Sequence, residues 1–198
     1  DEVTFHKRTP LLTDRSKVMV SCRQGAKLAV DKDRWQKFVD LGMTPSFEAE
    51  EAIERASVII DCTPVGNENK EKTYNRYAGN GRGFIAQGSE DGFGKKYARG
   101  INDKALIRGQ DQFIQVVSCN THNLAVLIDT IALGPEKEDN LAESRFVCMR
   151  RANDLSQEGD FIPAPEAGKH DDAKYGTHQG HDAHALFKTL GLDLNIFS

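Results

Sequence analysis

Residues 115–129, Gln-Val-Val-Ser-Cys-Asn-Thr-His-Asn-Leu-Ala-Val-Leu-Ile-Asp, carry the best-placed nucleophile of the chain. A β-branched run climbs into Ser118 and Cys119, and an apolar pattern at helical spacing (Leu124, Leu127, Ile128, Ile131) follows at once. This predicts a strand that ends in a cysteine at or just before a helix N-terminus. Unpaired N–H groups and the positive end of the helix dipole favour a thiolate there, which is the reactive form of the side chain. The polar collar Asn120-Thr121-His122 marks Cys119 as functional. Cys22, Cys62 and Cys148 read as buried, inert thiols.

A second constellation is Thr177-His178-Gln179-Gly180-His181-Asp182-Ala183-His184. His178, His181 and His184 share a face on a helix but not on a strand, and the expectation is that they hold no metal. Lys70 and Lys72 lie in a charged helical setting and read as a solvated face rather than as catalytic lysines.

These side chains need a scaffold, and the first half of the chain alternates strand-like and helix-like segments. Val3–Phe5 reads as a strand, 34–41 as an amphipathic helix burying Trp35, Phe38 and Val39, and 47–55 as a helix capped by Ser46. Ser57–Asp61 reads as a buried strand, 70–78 as a short helix and Gly83–Gln87 as another strand. Such alternation predicts an α/β fold with a parallel sheet that binds ligands at the carboxyl ends of its strands. Those ends carry Asp61-Cys-Thr63-Pro64-Val-Gly66 and Gln87-Gly88-Ser-Glu90. Further on, 145–151 alternates as a strand with one exposed face, 153–176 reads as a polar loop, and 191–198 closes on a strand. A domain boundary is expected near Cys119.

Composition narrows the function classes. The chain has 198 residues, 38% of them hydrophobic and 28% charged, which suits a water-soluble domain with a core. A net charge of -4 and a pI near 5.9 argue against general nucleic-acid binding. No apolar run approaches the roughly 20 residues that span a bilayer. Four scattered cysteines without a CxxC pair fit a reducing cytoplasm. The chain opens on Asp1 and both ends break off inside strand-like patterns, so a piece of a longer protein is expected.

Ser118-Cys119-Asn120-Thr121 after a Val-Val strand, Asp61-Cys-Thr-Pro-Val-Gly66, Gln87-Gly-Ser-Glu90 and Arg150-Arg151-Ala-Asn-Asp154, in this order, resemble the archaeal-type (type II) phosphorylating glyceraldehyde-3-phosphate dehydrogenases. The resemblance implies an incomplete Rossmann-type parallel sheet over 1–118, followed by part of an α+β catalytic domain over 119–198. It implies that Cys119 adds to an aldehyde carbon, that a hydride passes to NADP or NAD, and that inorganic phosphate cleaves the thioester. The thiol suits that sequence because a thiolate is a good leaving group. Ser118, Asn120 and Thr121 are then expected around the substrate, with Asn120 and nearby backbone N–H groups facing the developing oxyanion. His178 and Gln179 are expected on the substrate or phosphate side. Thr63, Pro64, Gly88 and Arg151 are expected on the cofactor side. Lys7 and Arg8 follow the first strand, where basic residues suit the 2′-phosphate of NADP. The resemblance also implies a cytoplasmic tetramer of glycolysis or gluconeogenesis, with a phosphorylated aldehyde as its small-molecule partner.

The chain departs from the family at several points. His122 and Asn123 replace the usual Thr and small residue of the collar, and Gln179 replaces the second histidine of a His-His-Gly motif. The Gly-rich phosphate turn is missing, and so is the region that supplies the family's catalytic histidine, so this stretch by itself is expected to be inactive. Three readings compete with the first: a related semialdehyde or acyl-phosphate dehydrogenase, a non-catalytic dinucleotide-binding homologue, and a histidine-rich metal-binding module.

Overall fold

The computed structural model describes residues 2–64, 66–79, 81–87, 91–136, 140–150, 166–167 and 170–198. The chain divides into two compact units, Asp1–Ile59 and Ile60–Ser198.

In the first unit, strands β1 (Thr4–His6), β2 (Lys27–Val30) and β3 (Phe47–Glu48) form a parallel sheet in that order. Helix α1 (Arg15–Arg23) returns the chain from β1 to β2, and α2 (Trp35–Asp40) connects β2 to β3. Local pattern alone leaves α1 and β2 unassigned. Their apolar residues become intelligible together, because Val18, Leu28, Val30, Phe38 and Met43 close into one core. Phe38 is buried as expected and Trp35 packs at the margin of that core, but Val39 lies 41% exposed. The expected helix over 47–55 is shorter. Phe47 and Glu48 pair with Ala29 and Val30, and this keeps their backbone extended. Helix α3 therefore runs only over Ala49–Arg55, with Glu48 rather than Ser46 at its N-cap position.

A second sheet holds β4 (Val58–Asp61), β5 (Gly83–Gln87), β6 (Lys95–Tyr97) and β7 (Phe113–Val116) in the order β4-β5-β7-β6. Both β5 and β6 run parallel to β7. The α/β class with parallel sheets is therefore observed. β4 is an edge strand rather than a buried one, with Val58 and Ile60 exposed and Asp61 turned inward. Between β4 and β5 the helix α4 covers Gly66–Lys72, and a 3-10 turn spans Tyr74–Tyr77, so the expected helix over 70–78 is displaced toward the N-terminus. Tyr74, Phe84 and Phe113 stack in sequence at centroid separations of 5.3 and 4.7 Å, and Phe93 meets Phe113 edge-on. Such aromatic pairs contribute about 0.5–1.5 kcal/mol each beyond area burial. Gly94 is required beside them, since a Cβ there would lie 2.1 Å from the Phe113 carbonyl oxygen.

After β7 come α5 (Cys119–Ile128) and a π turn over Asp129–Leu133. Leu124 and Ile128 of the expected apolar stripe are buried, whereas Leu127 and Ile131 are exposed. The expected strand over 145–151 is split into β8 (Ser144–Arg145) and β9 (Met149–Arg150), because the chain changes partner between them. β9 pairs with β10 (Glu166–Ala167), while β8 pairs with the terminal strand β11 (Ile196–Phe197). Helix α6 (His178–Lys188) packs beside α5. Most of the expected 153–176 loop lies outside the described residues. The boundary expected at 118/119 falls inside the second unit, because Ala98, Ile101 and Val117 share one core with Ala125, Leu186 and Phe187.

Candidate active site

Cys119 is the first residue of α5, three residues beyond the end of β7, and it is exposed. Sequence and structure agree on this placement. Ser118 is the N-cap: its backbone is extended, its Oγ accepts from the Thr121 N–H at 3.3 Å, and its carbonyl accepts from the His122 N–H at 2.8 Å. The two hydroxyls of Ser118 and Thr121 also share a 2.9 Å hydrogen bond, and Thr121 is fully buried. Thr121 therefore braces the cap from inside, and its hydroxyl is committed there. Asn120 is half-buried beside Cys119. First-turn N–H groups of a helix have no intrahelical acceptor, so this end of α5 offers donors to an anion formed at the sulfur or next to it.

The carboxyl end of β4 is held by Asp61. Its carboxylate accepts from the Thr63 N–H and hydroxyl, both at 2.7 Å, and from Asn69 Nδ2 and the Tyr74 hydroxyl, both at 2.8 Å. Burial pushes the Asp61 pKa up, but these hydrogen bonds outweigh it and hold the carboxyl below its ordinary value. Burial and the same carboxylate push the Tyr74 phenol up. The turn that follows is thereby fixed, with Cys62, Thr63 and Pro64 exposed on it. Cys62 is thus not a buried thiol, contrary to expectation; Cys22 and Cys148 are partly covered, and burial raises the Cys148 pKa.

At the start of α6, His178 is exposed and Gln179 half-buried. His178 borders a groove of about 420 Å³ that is also lined by Asp91, Asp171, Asp172, His181 and Asp182. Asp182 is buried and accepts from Lys96 Nζ at 2.7 Å, and the same ammonium lies 2.9 Å from Asp91. Among the described residues the three histidines do not bring their ring nitrogens together as one ligand group. His184 is buried with Nδ1 bonded to the Leu194 carbonyl at 2.9 Å, and His181 packs edge-on to Tyr175. Among the described residues, the His/Asp group whose ligand atoms do approach one another is Asp91, His181 and Asp182, and Lys96 already supplies a positive charge to both carboxylates. Gly180 is held against the Tyr175 carbonyl, where a Cβ would sit at 2.3 Å.

Lys7 and Arg8 lie in the first unit, just past β1. Lys7 pairs with Asp14 at 2.6 Å, and the Arg8 carbonyl accepts from Arg34 at 2.6 Å. Gly88 and Arg151 are outside the described residues. Lys70 is not on a solvated face: its ammonium donates to the Gly92 and Phe93 carbonyls and lies 4.8 Å from the Phe113 ring centre. Sequence reasoning also missed Lys96, which has no local signature, and the Asn69 and Tyr74 bonds to Asp61. The Asp-x-Thr spacing of 61–63 was the available clue to that turn. Among the described residues no helix is long and apolar enough to cross a membrane.

No protein-family model matches the chain. Curated relatives do. A glyceraldehyde-3-phosphate dehydrogenase of Methanobacterium formicicum is 32% identical over 189 residues, covering 86% of this chain and 50% of the relative. The protein of that name from Sulfolobus acidocaldarius is 33% identical over 137 residues, covering 67% and 37%. One from Pyrobaculum arsenaticum is 27% identical over 189 residues, covering 91% and 51%. The chain spans about half the length of the curated relatives it matches.

Proposed function

Because the chain is similar, over most of its length, to archaeal glyceraldehyde-3-phosphate dehydrogenases, we propose that the protein oxidises glyceraldehyde 3-phosphate to 1,3-bisphosphoglycerate with NADP or NAD and inorganic phosphate. The observation that supports this most is Cys119 standing exposed as the first residue of α5, on a cap made by Ser118.

Cys119 Sγ bonds to the aldehyde carbon, and the resulting oxyanion is met by first-turn N–H groups and the Asn120 amide. A bound nicotinamide ring supplies the hydride acceptor. Phosphate then attacks the thioester carbon and the sulfur leaves as thiolate. Ser118 and Thr121 hold the turn that aims Cys119. The groove beside His178 is rich in carboxylates, which suits a substrate hydroxyl better than a phosphate, so His178 and Gln179 are assigned to the hydroxyl side.

For the cofactor, the donor chemistry fits in part. Thr63 and Pro64 are presented on a turn fixed by Asp61, and Gly88 follows β5. Lys7 and Arg8 suit the 2′-phosphate of NADP, although the Lys7 ammonium is shared with Asp14. Arg151 is assigned to the same side. Residues 1–118 would serve the dinucleotide and 119–198 the aldehyde, in a cytoplasmic homotetramer.

Mass-resolved alkylation of each cysteine at neutral pH, with and without glyceraldehyde 3-phosphate, tests the proposal. Fast labelling of Cys119, slowed by the aldehyde, is expected. Slow and equal labelling of all four cysteines would put a binding-only role ahead.

A further inference from the structure

Helix α1 of the first unit has two apolar sides, and only one of them meets a core. Val18 is buried in that core and Cys22 packs at its margin. On the other side, Leu12, Ser16, Met19, Val20 and Arg23 follow one another at helical spacing, starting from the 3-10 turn Leu12–Asp14 that leads into α1. Leu12 is 68% and Val20 50% exposed, and together with Arg15 these residues line a groove of about 390 Å³. The solvent side of a surface helix ordinarily carries polar residues, so a contiguous apolar strip with a polar rim marks an interaction surface.

The rim of this groove is cationic. Residues 15–30 hold Arg15, Lys17, Arg23 and Lys27 and no carboxylate, in a chain whose net charge is -4. Asp14, just before them, is taken by Lys7 at 2.6 Å, and among the described residues Arg15 and Arg23 have no carboxylate partner. The Arg15 guanidinium lies against Gly42, where an added Cβ would be 3.1 Å from Nη2. Arg15 and Arg23 thus stand at the two ends of the apolar strip, about 12 Å apart along the helix. A second copy of this chain does not suit the groove. Antiparallel self-pairing about Met19 sets Arg15 against Arg23, and parallel pairing sets each arginine against itself. A membrane surface suits it no better, since helices that lie in the interface carry Trp or Phe on the apolar side and this strip has neither.

We propose that this side of α1 docks an acidic amphipathic helix of a partner protein. Apolar side chains on successive turns of the partner fill the groove over Met19 and Val20, and carboxylates about two turns apart meet Arg15 and Arg23. Burial of Leu12, Met19 and Val20 supplies affinity, and the rim arginines set orientation and the rate of encounter. Nothing in this contact depends on the reactivity of Cys119.

The test is fluorescence anisotropy of a labelled synthetic peptide of about four helical turns, with Leu along one side and Glu along the other, titrated with the chain. A second peptide has Lys in place of every Glu. Saturable binding of the Glu peptide alone is expected, weakening as salt is added. The exposed-site variants R15E/R23E and V20E, with folds checked by circular dichroism, should each bind it about tenfold more weakly or worse. No binding, equal binding of the Lys peptide, or an affinity unchanged in R15E/R23E would overturn the proposal. So would a wild-type dimer in sedimentation that V20E abolishes, which gives the groove to a second copy. Binding of phosphatidylserine vesicles but not of the peptide would give it to a lipid surface. Peptide binding by this chain but not by the longest form of the protein that its gene encodes would assign the groove to the same protein, and again overturn the partner.

Discussion

Lys96 on β6 and Asp182 on α6 form a 2.7 Å ion pair whose side chains are only 8% and 4% exposed, and the same ammonium reaches Asp91 at 2.9 Å. One cation thus ties the segment after β5 to the first turns of α6. Removing one partner of a buried pair leaves the other charge uncompensated. K96M should lower unfolding stability by about 3–5 kcal/mol in urea titration, and K96M combined with D182L should recover part of that loss.

Ser118 supports Cys119 through the cap. S118A removes the acceptor for the Thr121 N–H and the partner of the buried Thr121 hydroxyl. It should cost about 1 kcal/mol of stability and slow Cys119 alkylation several-fold. An alkylation rate equal to the wild type would show that the cap does not aim the sulfur.

Asp61 gives the fold an acid limit. Its folded-state pKa is lowered, so its contribution is complete above the ordinary carboxylate value and is lost as pH falls through the folded value. D61N should destabilise the protein by about 2 kcal/mol at pH 7, and the difference should shrink below about pH 4. Thermal melts of the two proteins from pH 3 to 7 measure this directly. A pH-independent difference would assign the effect to packing alone.

Gly180 admits no side chain. A Cβ at this position would lie 2.3 Å from the Tyr175 carbonyl oxygen and 3.2 Å from the Ser198 nitrogen. G180A should cost about 1–3 kcal/mol by forcing α6 away from that backbone, seen as a lower melting temperature. An unchanged melting temperature would mean that the 175–177 turn yields freely.

The candidate nucleophile was legible in the sequence because its signals are local. An N-cap serine, a cysteine directly after it and Leu124 and Ile128 at helical spacing specify the start of α5 without reference to anything distant. Strand β5 was legible for the same reason, as a short apolar run bounded by glycine and polar residues. Phe47 and Glu48 were misread because their extended backbone comes from pairing with Ala29 and Val30, which helix periodicity cannot register. Val39 satisfied the periodicity of α2 yet faces away from the core that Phe38 enters.

By itself, then, the sequence determined the α/β alternation, the strand-to-helix setting of Cys119 and the likeness to archaeal glyceraldehyde-3-phosphate dehydrogenases. Each depends on residue order within a few turns of chain, or on motifs met in a fixed order. Tertiary structure alone decided that Lys96 finds Asp182, 86 positions away, and that His122 finds the Arg99 carbonyl. It likewise set Lys70 over an aromatic ring and packed both His181 and His184 against Tyr175. A charged or titratable side chain carries no periodic signature of its partner, because the partner is chosen only when distant elements pack and the buried charge must be satisfied.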